Sequence, residues 1–320
     1  MIAIVLLNYN GLQHLEKCLR SLTRQTYKGF YIIFVDNASR DGSVEYVKNN
    51  FPEVQIIVNN KNLGFSEGNN VGIRQAMENP DVKYVAVLNN DTELKEDWLE
   101  QLVAAAEQDK KVGACASKML YFDQRNIIDS AGDFYFSGSL KVHPRGHGQP
   151  DKYFKTEECL SACAGAALYR REALEETRLG NDYFDSDYFA YVEDTDLSLR
   201  MRLAGWKCLF VPSAVVYHKV SATTSLWKED WKKFQTGRNR VFTAIKVYPI
   251  SKWCKALKNP VTYQKKSSSF IQAVALYCRL LWDVGWYSLR MLEKRNQIKR
   301  FRSVDANIFE EWEEKFSTAE

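Results

Sequence analysis

The chain lacks the features that mark exported, disulfide-stabilised and triphosphate-binding proteins. No basic region or small-residue cleavage site accompanies the apolar start at 1–7, so we expect a buried first strand and not a signal peptide. The seven cysteines form no C-x-x-C pair, and the close pair Cys159 and Cys163 has no partner at zinc spacing. Free cytosolic thiols are therefore expected. Neither G-x-x-x-x-G-K nor G-x-G-x-x-G follows the first strand, which excludes a P-loop.

The charge of the chain is unevenly distributed, although its 45% hydrophobic and 26% charged residues are ordinary for a soluble globular protein. Residues 1–225 carry 25 Lys/Arg against 30 Asp/Glu, whereas residues 226–303 carry 18 against 4. The basic block predicts a surface for an anionic partner, and charge alone leaves nucleic acid and anionic lipid open. Nucleic acid ranks low because no recognised binding module accompanies the charge.

Apolar and amphipathic segments alternate over the first hundred residues. Strands are predicted at 2–7, 31–35, 54–58 and 84–88, and helices at 12–24, 44–50, 69–78 and 96–108. This βαβαβαβ order predicts a parallel sheet with right-handed crossovers. Because the strands do not alternate polar and apolar residues, helices are expected on both faces of the sheet.

The pattern loosens over 112–154 and then becomes regular again. It predicts a strand at 162–169, helices at 171–176 and 195–204, and strands at 208–211 and 214–217. The Ser- and Thr-rich segment 221–225 coincides with the change in charge, so we place a domain boundary there. The predicted fold class is α/β, with one domain at 1–225 and a helical, basic C-terminal region at 226–320.

The first candidate site residue is Asp91, which follows the strand at 84–88 in the string Asn89-Asn90-Asp91. Ligands of open α/β sheets bind beyond the carboxyl ends of the strands. Mg²⁺ and Mn²⁺ take oxygen ligands and commonly bridge to substrate phosphates. Asp91 is therefore a candidate metal ligand, and the alternative is a residue that caps the next helix.

Two further segments follow predicted strands. Asp36 can accept a hydrogen bond from a ribose hydroxyl or a base N–H, and its alternative is an Asx-turn. The loop at 59–72 is rich in asparagine and glycine, including Asn62, Gly64 and Asn69. Such residues supply amide groups and positive φ angles close to a nucleotide, although turn chemistry alone produces the same pattern.

The acidic string that begins with Glu193 and Asp194 is a candidate general base. Its aromatic and apolar flanks predict burial, which raises the pKa of a carboxyl group towards that of a working base. The alternative is a cluster of acids favoured at a helix N-terminus. His218 follows a predicted strand and is either structural or a second metal ligand beside Asp91.

Together these segments resemble glycosyltransferase family 2, inverting enzymes with the GT-A fold, and within it the rhamnosyltransferase-like members. The resemblance covers residues 1 to about 247 and consists of six motifs in the family's order. They are Leu7-Asn8-Tyr9-Asn10-Gly11, Val35-Asp36-Asn37-Ala38-Ser39, the segment from Asn62 to Gly72, Leu88-Asn89-Asn90-Asp91, Glu193-Asp194-Thr195-Asp196, and His218. The implied fold is a Rossmann-like, mostly parallel sheet flanked by helices, with a nucleotide-sugar-binding catalytic domain at 1–225.

The resemblance also implies a donor pocket. Asp36 is similar to the residue that reads the uracil or thymine edge, with the backbone around Asn8 and Asn10 in the same pocket. Arg238 and Arg240 are candidates for holding the leaving diphosphate. The nucleotide-sugar-binding residues implied as a whole are Asn8, Asn10, Asp36, Asn62, Gly64, Asn69, Asn89, Asn90 and Arg238.

The family's catalytic roles fall on the acidic motifs. Asp91 and His218 are the implied ligands of Mg²⁺ or Mn²⁺, and Asp194, next to Glu193, resembles the base that deprotonates the acceptor hydroxyl. The family's D-x-D motif begins in this chain with Asn89, so the metal has fewer protein carboxylates and the donor diphosphate supplies much of its coordination. No Q-x-x-R-W string is present, which favours transfer of a single sugar over polymerisation.

The implied reaction is the inverting transfer of one sugar from a UDP- or dTDP-sugar, with dTDP-rhamnose favoured, to a glycan or lipid-linked oligosaccharide in polysaccharide biosynthesis. A sugar-1-phosphate nucleotidyltransferase is disfavoured because no Gly- and Lys/Arg-rich loop follows strand one. A catalytically inactive sugar- or nucleotide-binding domain is disfavoured because Asp91 and Asp194 are both present.

The apolar stretch at 270–292 predicts a long helix. Its polar residues Gln272, Arg279, Asp283 and Arg290 fall on one line. The charges in mid-stretch argue against a spanning helix. The wide apolar face with basic ends, over 265–302, predicts contact with the inner face of a membrane by a cytoplasmic, peripheral protein. The alternative is packing on the catalytic domain or on the second subunit of a homodimer.

Overall fold

The computed structural model describes residues 1–137, 139–219, 229–257, 270–305 and 307–318. The strands are β1 (Ile2–Asn8), β2 (Phe30–Asp36), β3 (Gln55–Val58), β4 (Tyr84–Asn89), β5 (Thr92–Leu94), β6 (Val112–Tyr121), β7 (Ile128–Ser130), β8 (Asp133–Phe136), β9 (Val142–Pro144), β10 (Glu157–Glu158), β11 (Ala166–Arg170), β12 (Lys207–His218) and β13 (Ser317–Thr318). The helices are α1 (Leu12–Thr23), α2 (Ser43–Asn50), α3 (Gly64–Met77), α4 (Trp98–Gln108), α5 (Arg171–Thr177), α6 (Glu193–Leu203), α7 (Glu229–Val247), α8 (Ile250–Leu257), α9 (Phe270–Phe301) and α10 (Ile308–Lys315).

The first four strands form the predicted parallel half of the central sheet, in the order β4-β1-β2-β3. Their register places Asn8 opposite Asp36 and Leu7 opposite Asn89, so the candidate residues meet at one edge. Alternate residues of β1 are buried on opposite faces: Val5 joins the cluster that includes α3, and Ile4 joins the cluster with α1 and α4. The α/β class and the helices on both faces are confirmed.

The other half of the sheet is mixed. Strand β11 runs antiparallel between β4 and β6, and β6 pairs in parallel with β12. The two strands predicted at 208–211 and 214–217 are one strand, β12, because only a register shift between Val211 and Val215 marks the position of Pro212. That prediction of two strands was wrong, since a local irregularity accommodates the proline without ending the strand.

Helices α3 and α6 begin earlier than predicted. Helix α3 begins at Gly64, where a φ of +79° suits glycine. The first N–H of α3, that of Gly64, donates to the side chain of Asn62. The next two N–H groups donate to the carbonyl of Phe189, at 2.6 Å from Phe65 and 3.1 Å from Ser66. Since that carbonyl belongs to a loop distant in the sequence, local patterns did not predict this part of the start of α3.

The C-terminal region packs against the α/β part. Strand β13 pairs with β8, and helices α7 and α9 lie next to α6. The boundary predicted at 225 lies outside the described residues, so the division into two domains stays a prediction. No helix of the described residues is both long and apolar enough to cross a membrane.

Candidate active site

A hydrogen-bonded network holds the predicted nucleotide residues at the carboxyl ends of β1 and β2. The side-chain amide of Asn8 donates to Asp36 Oδ2 at 2.9 Å, and the N–H of Ser39 donates to Asp36 Oδ1 at 2.8 Å. Asp36 is fully buried. Each of its oxygens thus accepts one fixed hydrogen bond and keeps a lone pair for a further donor, such as a base N–H.

Asn10 and Asn90 extend this network. The N–H of Asn10 donates to Ser39 Oγ at 2.8 Å, and Asn90 Nδ2 donates to Asn8 Oδ1 at 2.5 Å. A side chain at Gly11 would collide with Asn90, because a Cβ there would lie 2.0 Å from Asn90 Nδ2. The segment after β4 is therefore locked directly onto the segment after β1.

Asn62, Gly64 and Asn69 organise the start of α3. The N–H of Gly64 donates to Asn62 Oδ1 at 2.8 Å, and the carbonyl of Gly64 accepts from Asn37 Nδ2 at 2.9 Å. Asn69 is buried within the helix and donates to the carbonyl of Phe65 at 2.9 Å. These contacts explain the asparagine-rich sequence structurally, and the predicted contact with the donor stays a prediction.

Asp91, His218 and Asp129 form what we call the imidazole cluster. His218 Nε2 lies 3.2 Å from Asp91 Oδ1, and its Nδ1 lies 2.7 Å from Asp129 Oδ2. Burial alone would lower the pKa of His218, but its bonds to Asp129 and Asp91 raise it to about 10. Burial opposes ionisation of Asp91 as well, yet the hydrogen bond and charge of His218 hold the pKa of that carboxyl below its ordinary value.

Three further residues lie around this cluster and were not predicted from the sequence: His14, Lys17 and Lys219. His14 on α1 is close enough to Asp91 for the carboxylate to favour its charged form, although burial is the larger effect and lowers the pKa of His14. The ammonium groups of Lys17 and Lys219 both lie over the ring of Phe122, at 4.7 and 5.6 Å from its centroid. An open cavity of about 290 Å³, lined in part by His218 and Lys219, begins at this point.

Glu193, Asp194 and Asp133 form a second group, the carboxyl cluster. Asp194 accepts from the N–H of Ala164 at 3.1 Å, and burial raises its pKa. Burial, and then the charge of Asp194, raise the pKa of Asp133 and of Glu193 well above their usual ranges. Glu193 Oε2 is buried and has no hydrogen-bond partner among the described residues.

A strained turn delivers these acids to the start of α6. Phe189, Tyr191 and Val192 all have positive φ angles, of 60°, 73° and 74°. Such angles are uncommon for residues with a side chain and are outliers for a β-branched residue. We call residues 189–192 the left-handed turn.

The segment from Gln235 to Asn239 on α7 holds the left-handed turn in place. Asn239 Nδ2 donates to the carbonyls of Ala190 and Tyr191 at 2.9 and 2.7 Å. Arg238 donates to the carbonyl of Asp187 at 3.0 Å and lies 3.5 Å from Asp283 of α9. Arg238 is thus engaged with protein groups, and its predicted contact with the diphosphate stays a prediction.

Buried ion pairs connect this loop to the C-terminal helices. Asp196 lies 2.9 Å from Arg200 and 2.8 Å from Lys246, and Lys246 also pairs with Asp185. Burial opposes the charge of Asp185, but Lys246 and Lys294 keep its pKa low. Asp196 therefore has a structural role, because both of its partners are buried cations of the protein.

The segment 163–165 joins the two clusters. The carbonyl of Gly165 accepts from the N–H of Asn89 at 2.9 Å, and the N–H of Ala164 donates to Asp194. The end of β4, which leads into the turn with Asp91, and the carboxyl cluster therefore lie side by side. The pair of Asp91 and His218 is suited to stabilising charge, and the neighbouring Asp194, whose pKa is raised, is suited to accepting a proton.

Comparison with known proteins identifies the family and the fold of the chain. The chain is 28% identical over 243 residues to an N-acetylglucosaminyl-diphospho-decaprenol L-rhamnosyltransferase of Mycobacterium tuberculosis, covering 70% of this chain and 78% of the relative. It is 23% identical over 307 residues to the putative glycosyltransferase EpsH of Bacillus subtilis, covering 93% of this chain and 81% of EpsH.

Among solved structures, residues 1–349 of S. aureus TarS with UDP-GlcNAc match with a TM-score of 0.59 at 15% identity, covering 97% of this chain and 92% of that one. The mannosyltransferase PcManGT from Pyrobaculum calidifontis, solved with GDP-Man and Mn²⁺, matches with a TM-score of 0.52 at 14% identity, covering 94% and 85%. The family model "Glycosyl transferase family 2" matches residues 3–178, more than half of the chain. The chain therefore belongs to glycosyltransferase family 2 and has the GT-A fold.

Proposed function

We propose that the protein transfers one sugar, with inversion, from a UDP- or dTDP-sugar to a hydroxyl group of a glycan or lipid-linked acceptor. The observation that carries this proposal is the pair of contacts made by segment 163–165, to Asn89 on one side and to Asp194 on the other. They bring the end of β4 and the candidate base together at one edge of the sheet. Donor and acceptor would meet between them.

The donor's base would lie against Asp36. The network from Asn8 and Ser39 fixes the carboxylate and leaves a lone pair on each oxygen, which supports recognition of a uracil or thymine N–H. The same network reaches Asn90, so the base end and the diphosphate end of the donor would be held by one rigid unit. Such preorganisation contributes to the rate by positioning the reacting atoms.

The residues of the imidazole cluster fit a divalent cation. Asp91 and His218 present an oxygen and a nitrogen 3.2 Å apart, and a cation between them would take the place of the shared proton. Asp129 holds the other ring nitrogen, as carboxylates commonly do for metal-bound histidines. The described residues contain no cluster of three or more His, Cys, Asp or Glu side chains suited to a metal, so the diphosphate and water would complete the coordination. Bound Mg²⁺ or Mn²⁺ would neutralise charge on the leaving diphosphate.

Asp194 would act as the base. As the acceptor oxygen attacks the anomeric carbon, its proton passes to the Asp194 carboxylate, and the bond from that carbon to the diphosphate oxygen breaks. The new bond forms on the face opposite the departing diphosphate, which inverts the configuration without a covalent intermediate. Burial that raises the pKa of Asp194 supports this role, because it makes the carboxylate a stronger base.

A lipid-linked acceptor and dTDP-rhamnose as donor are supported by the similarity to the mycobacterial rhamnosyltransferase, whose name specifies a decaprenol-linked acceptor. We propose accordingly that the protein takes part in polysaccharide biosynthesis as a cytoplasmic protein, peripheral on the inner face of the membrane. Residues 1–225 would form its nucleotide-sugar-binding catalytic domain, and residues 226–320 its contact with the membrane or with a second subunit.

Calorimetric titration with UDP-, dTDP-, GDP- and CMP-sugars, with and without Mn²⁺, tests the proposal. We expect UDP or dTDP compounds to bind, and to bind more tightly when the cation is present. Product analysis by NMR should then show an inverted anomeric configuration. A folded sample that binds none of these compounds would contradict the proposal and indicate an inactive domain.

A further inference from the structure

Helix α9 contacts the rest of the protein through the face that carries its polar residues. Asp283 lies 3.5 Å from Arg238, and Arg290 lies 2.9 Å from Asp187. Lys294, one turn further on, lies 2.6 Å from Asp187 and is buried. The inward face of α9 is therefore held by ion pairs to α7 and to the loop that precedes the left-handed turn.

The opposite face of α9 is apolar and exposed to solvent. We call this side of the helix the outer face. It carries five large side chains, with exposed fractions of 56% for Leu281, 70% for Trp282, 73% for Trp286, 75% for Leu289 and 41% for Leu292. The indole rings of Trp282 and Trp286 stack on each other, with centroids 6.5 Å apart. Half of the ten large hydrophobic side chains that are exposed among the described residues thus lie on one face of one helix. Such clustering marks an interaction surface.

The chemistry of the outer face fits the boundary of a lipid bilayer. Tryptophan is enriched at membrane interfaces because its ring is apolar and its N–H is polar. Beyond Leu292 the exposed side of α9 is polar, with one acid, Glu293, followed by two exposed cations, Lys299 and Arg300. An apolar face with indole rings next to cations is the pattern of a helix that lies in the headgroup region of anionic lipid.

A second copy of the chain fits the outer face less well. Basic residues lie in the sequence on both sides of the apolar stretch, with Lys265 and Lys266 before it and Lys299 and Arg300 after it. Pairing two such helices in parallel would bring Lys299 and Arg300 of one copy near those of the other. Like charges placed together oppose association, whereas anionic lipid headgroups attract these cations.

We propose that the outer face of α9 docks on an anionic bilayer, with Trp282 and Trp286 at the level of the headgroups. The proposal deepens the peripheral location proposed above, and rests on it, by naming the face and the lipid chemistry. Because Arg290 and Lys294 fasten α9 to Asp187, docking would hold the loop before Asp194 close to the bilayer. An acceptor anchored in that bilayer would then reach the base from the membrane side.

Vesicle flotation of the full chain tests the proposal directly. We expect binding to vesicles of 7:3 phosphatidylcholine and phosphatidylglycerol, and weaker binding to pure phosphatidylcholine. Replacing both indoles (Trp282→Ser with Trp286→Ser) should weaken binding by about tenfold or more, because membrane affinity follows the buried apolar area. Phe154→Ser is the matched control, since Phe154 is equally exposed, at 71%, but lies outside α9. Lys299→Glu with Arg300→Glu should reduce the preference for the anionic vesicles.

Three results would overturn the proposal. The first is that the wild-type chain binds neither kind of vesicle. The second is that the double Trp variant binds vesicles as the wild type does. The third is that the chain does not bind vesicles but forms a dimer in sedimentation equilibrium, and that the double Trp variant abolishes this dimer. Calorimetry with the nucleotide-sugars needs no vesicles and serves as the test of folding for each variant. Vesicle binding without donor binding would contradict the proposed function and leave the membrane proposal intact.

Discussion

The imidazole cluster and the carboxyl cluster are neighbours, but their carboxylates have opposite surroundings. Asp91 faces the cationic ring of His218, which holds the pKa of that carboxyl below its ordinary value despite burial. Asp129 lies between His147 and His218, and hydrogen bonds with these two rings, His147 first, lower its pKa to about 2 despite burial. Glu193 and Asp194 are buried beside each other, and Glu193 Oε2 has no partner among the described residues. The first cluster favours ionised carboxylates and the second favours protonated ones.

This difference shows how one edge of a sheet supports two kinds of chemistry. A carboxylate that stays ionised can hold a cation and the diphosphate on it, whereas a carboxylate of raised pKa can accept a proton. The two kinds of carboxyl group differ because of the charges that face them. His218 lies against Asp91 and Asp129, whereas the charge that acts most strongly on Glu193 is that of another carboxylate, Asp194.

The largest expected effect comes from Asp194→Asn, which removes the proton acceptor and keeps the shape. We expect transfer to fall by roughly 10²–10⁴-fold, the usual contribution of a general base. Donor affinity should change little, because Asp194 is not part of the network around Asp36. Turnover assays alongside calorimetry with the nucleotide-sugar separate the two effects.

Glu193→Gln is the matched control for that variant. Since burial and the charge of Asp194 raise the pKa of Glu193 and favour its protonated form, a glutamine resembles that form, and we expect transfer to fall by less than about tenfold. If Glu193→Gln abolished transfer and Asp194→Asn did not, the assignment of the base would be wrong and Glu193 would take that role.

The imidazole cluster is tested by Asp129→Asn. Asp129 orients His218 from behind, and loss of such a partner typically weakens metal binding by about 10–100-fold. Titration of Mn²⁺ with the UDP- or dTDP-sugar present, followed by calorimetry, measures this affinity without relying on turnover. Asp91→Asn should weaken it further, because Asp91 would contact the cation itself. Unchanged Mn²⁺ affinity in both variants would show that the cluster is not a metal site.

The support of the left-handed turn by α7 gives the next prediction. Asn239→Ala would leave the partly buried carbonyls of Ala190 and Tyr191 without their donor, and each such group left unpaired costs about 1–2 kcal/mol, the lower part of the range for buried groups. We expect a loss of about 2–4 kcal/mol in the free energy of unfolding, measured by urea denaturation. Thr236→Ala, on the same helix but outside these contacts, is the control. A variant as stable as the wild type would mean that the turn does not depend on Asn239.

The parts of the site that the sequence predicted share a physical cause. Asp36 and Asn89 lie at the ends of buried strands, and parallel strands bring their carboxyl ends to one edge, so periodicity alone placed both residues correctly. Asp129 was missed because its strand, β7, has three residues and gives no periodic signal. Asn239 was missed because its role depends on carbonyls about fifty residues away.

The sequence also did not predict which face of α9 packs against the protein. The line of polar residues was recognised, but not which side of the helix would meet the protein. A polar line normally faces solvent on a surface helix. In this fold Asp283 pairs with Arg238 of α7 and Arg290 pairs with Asp187 of the catalytic part, so the apolar side remains exposed. The side chain of Gln272, which also belongs to that line, lies outside the described side chains.

The smallest expected effect is a shift in the dependence of transfer on pH. Asp194 must be ionised to accept a proton, so its raised pKa moves the acid limb of the profile to higher pH than an ordinary aspartate would give. Transfer should therefore rise with pH through that raised pKa, with donor and Mn²⁺ saturating so that the imidazole cluster does not contribute. In Glu193→Gln the neighbouring group can no longer ionise, and the limb should stay where it is or move slightly to lower pH. An acid limb at the ordinary pKa of aspartate would contradict the distinction between the two clusters, because burial would then not have raised the pKa of Asp194.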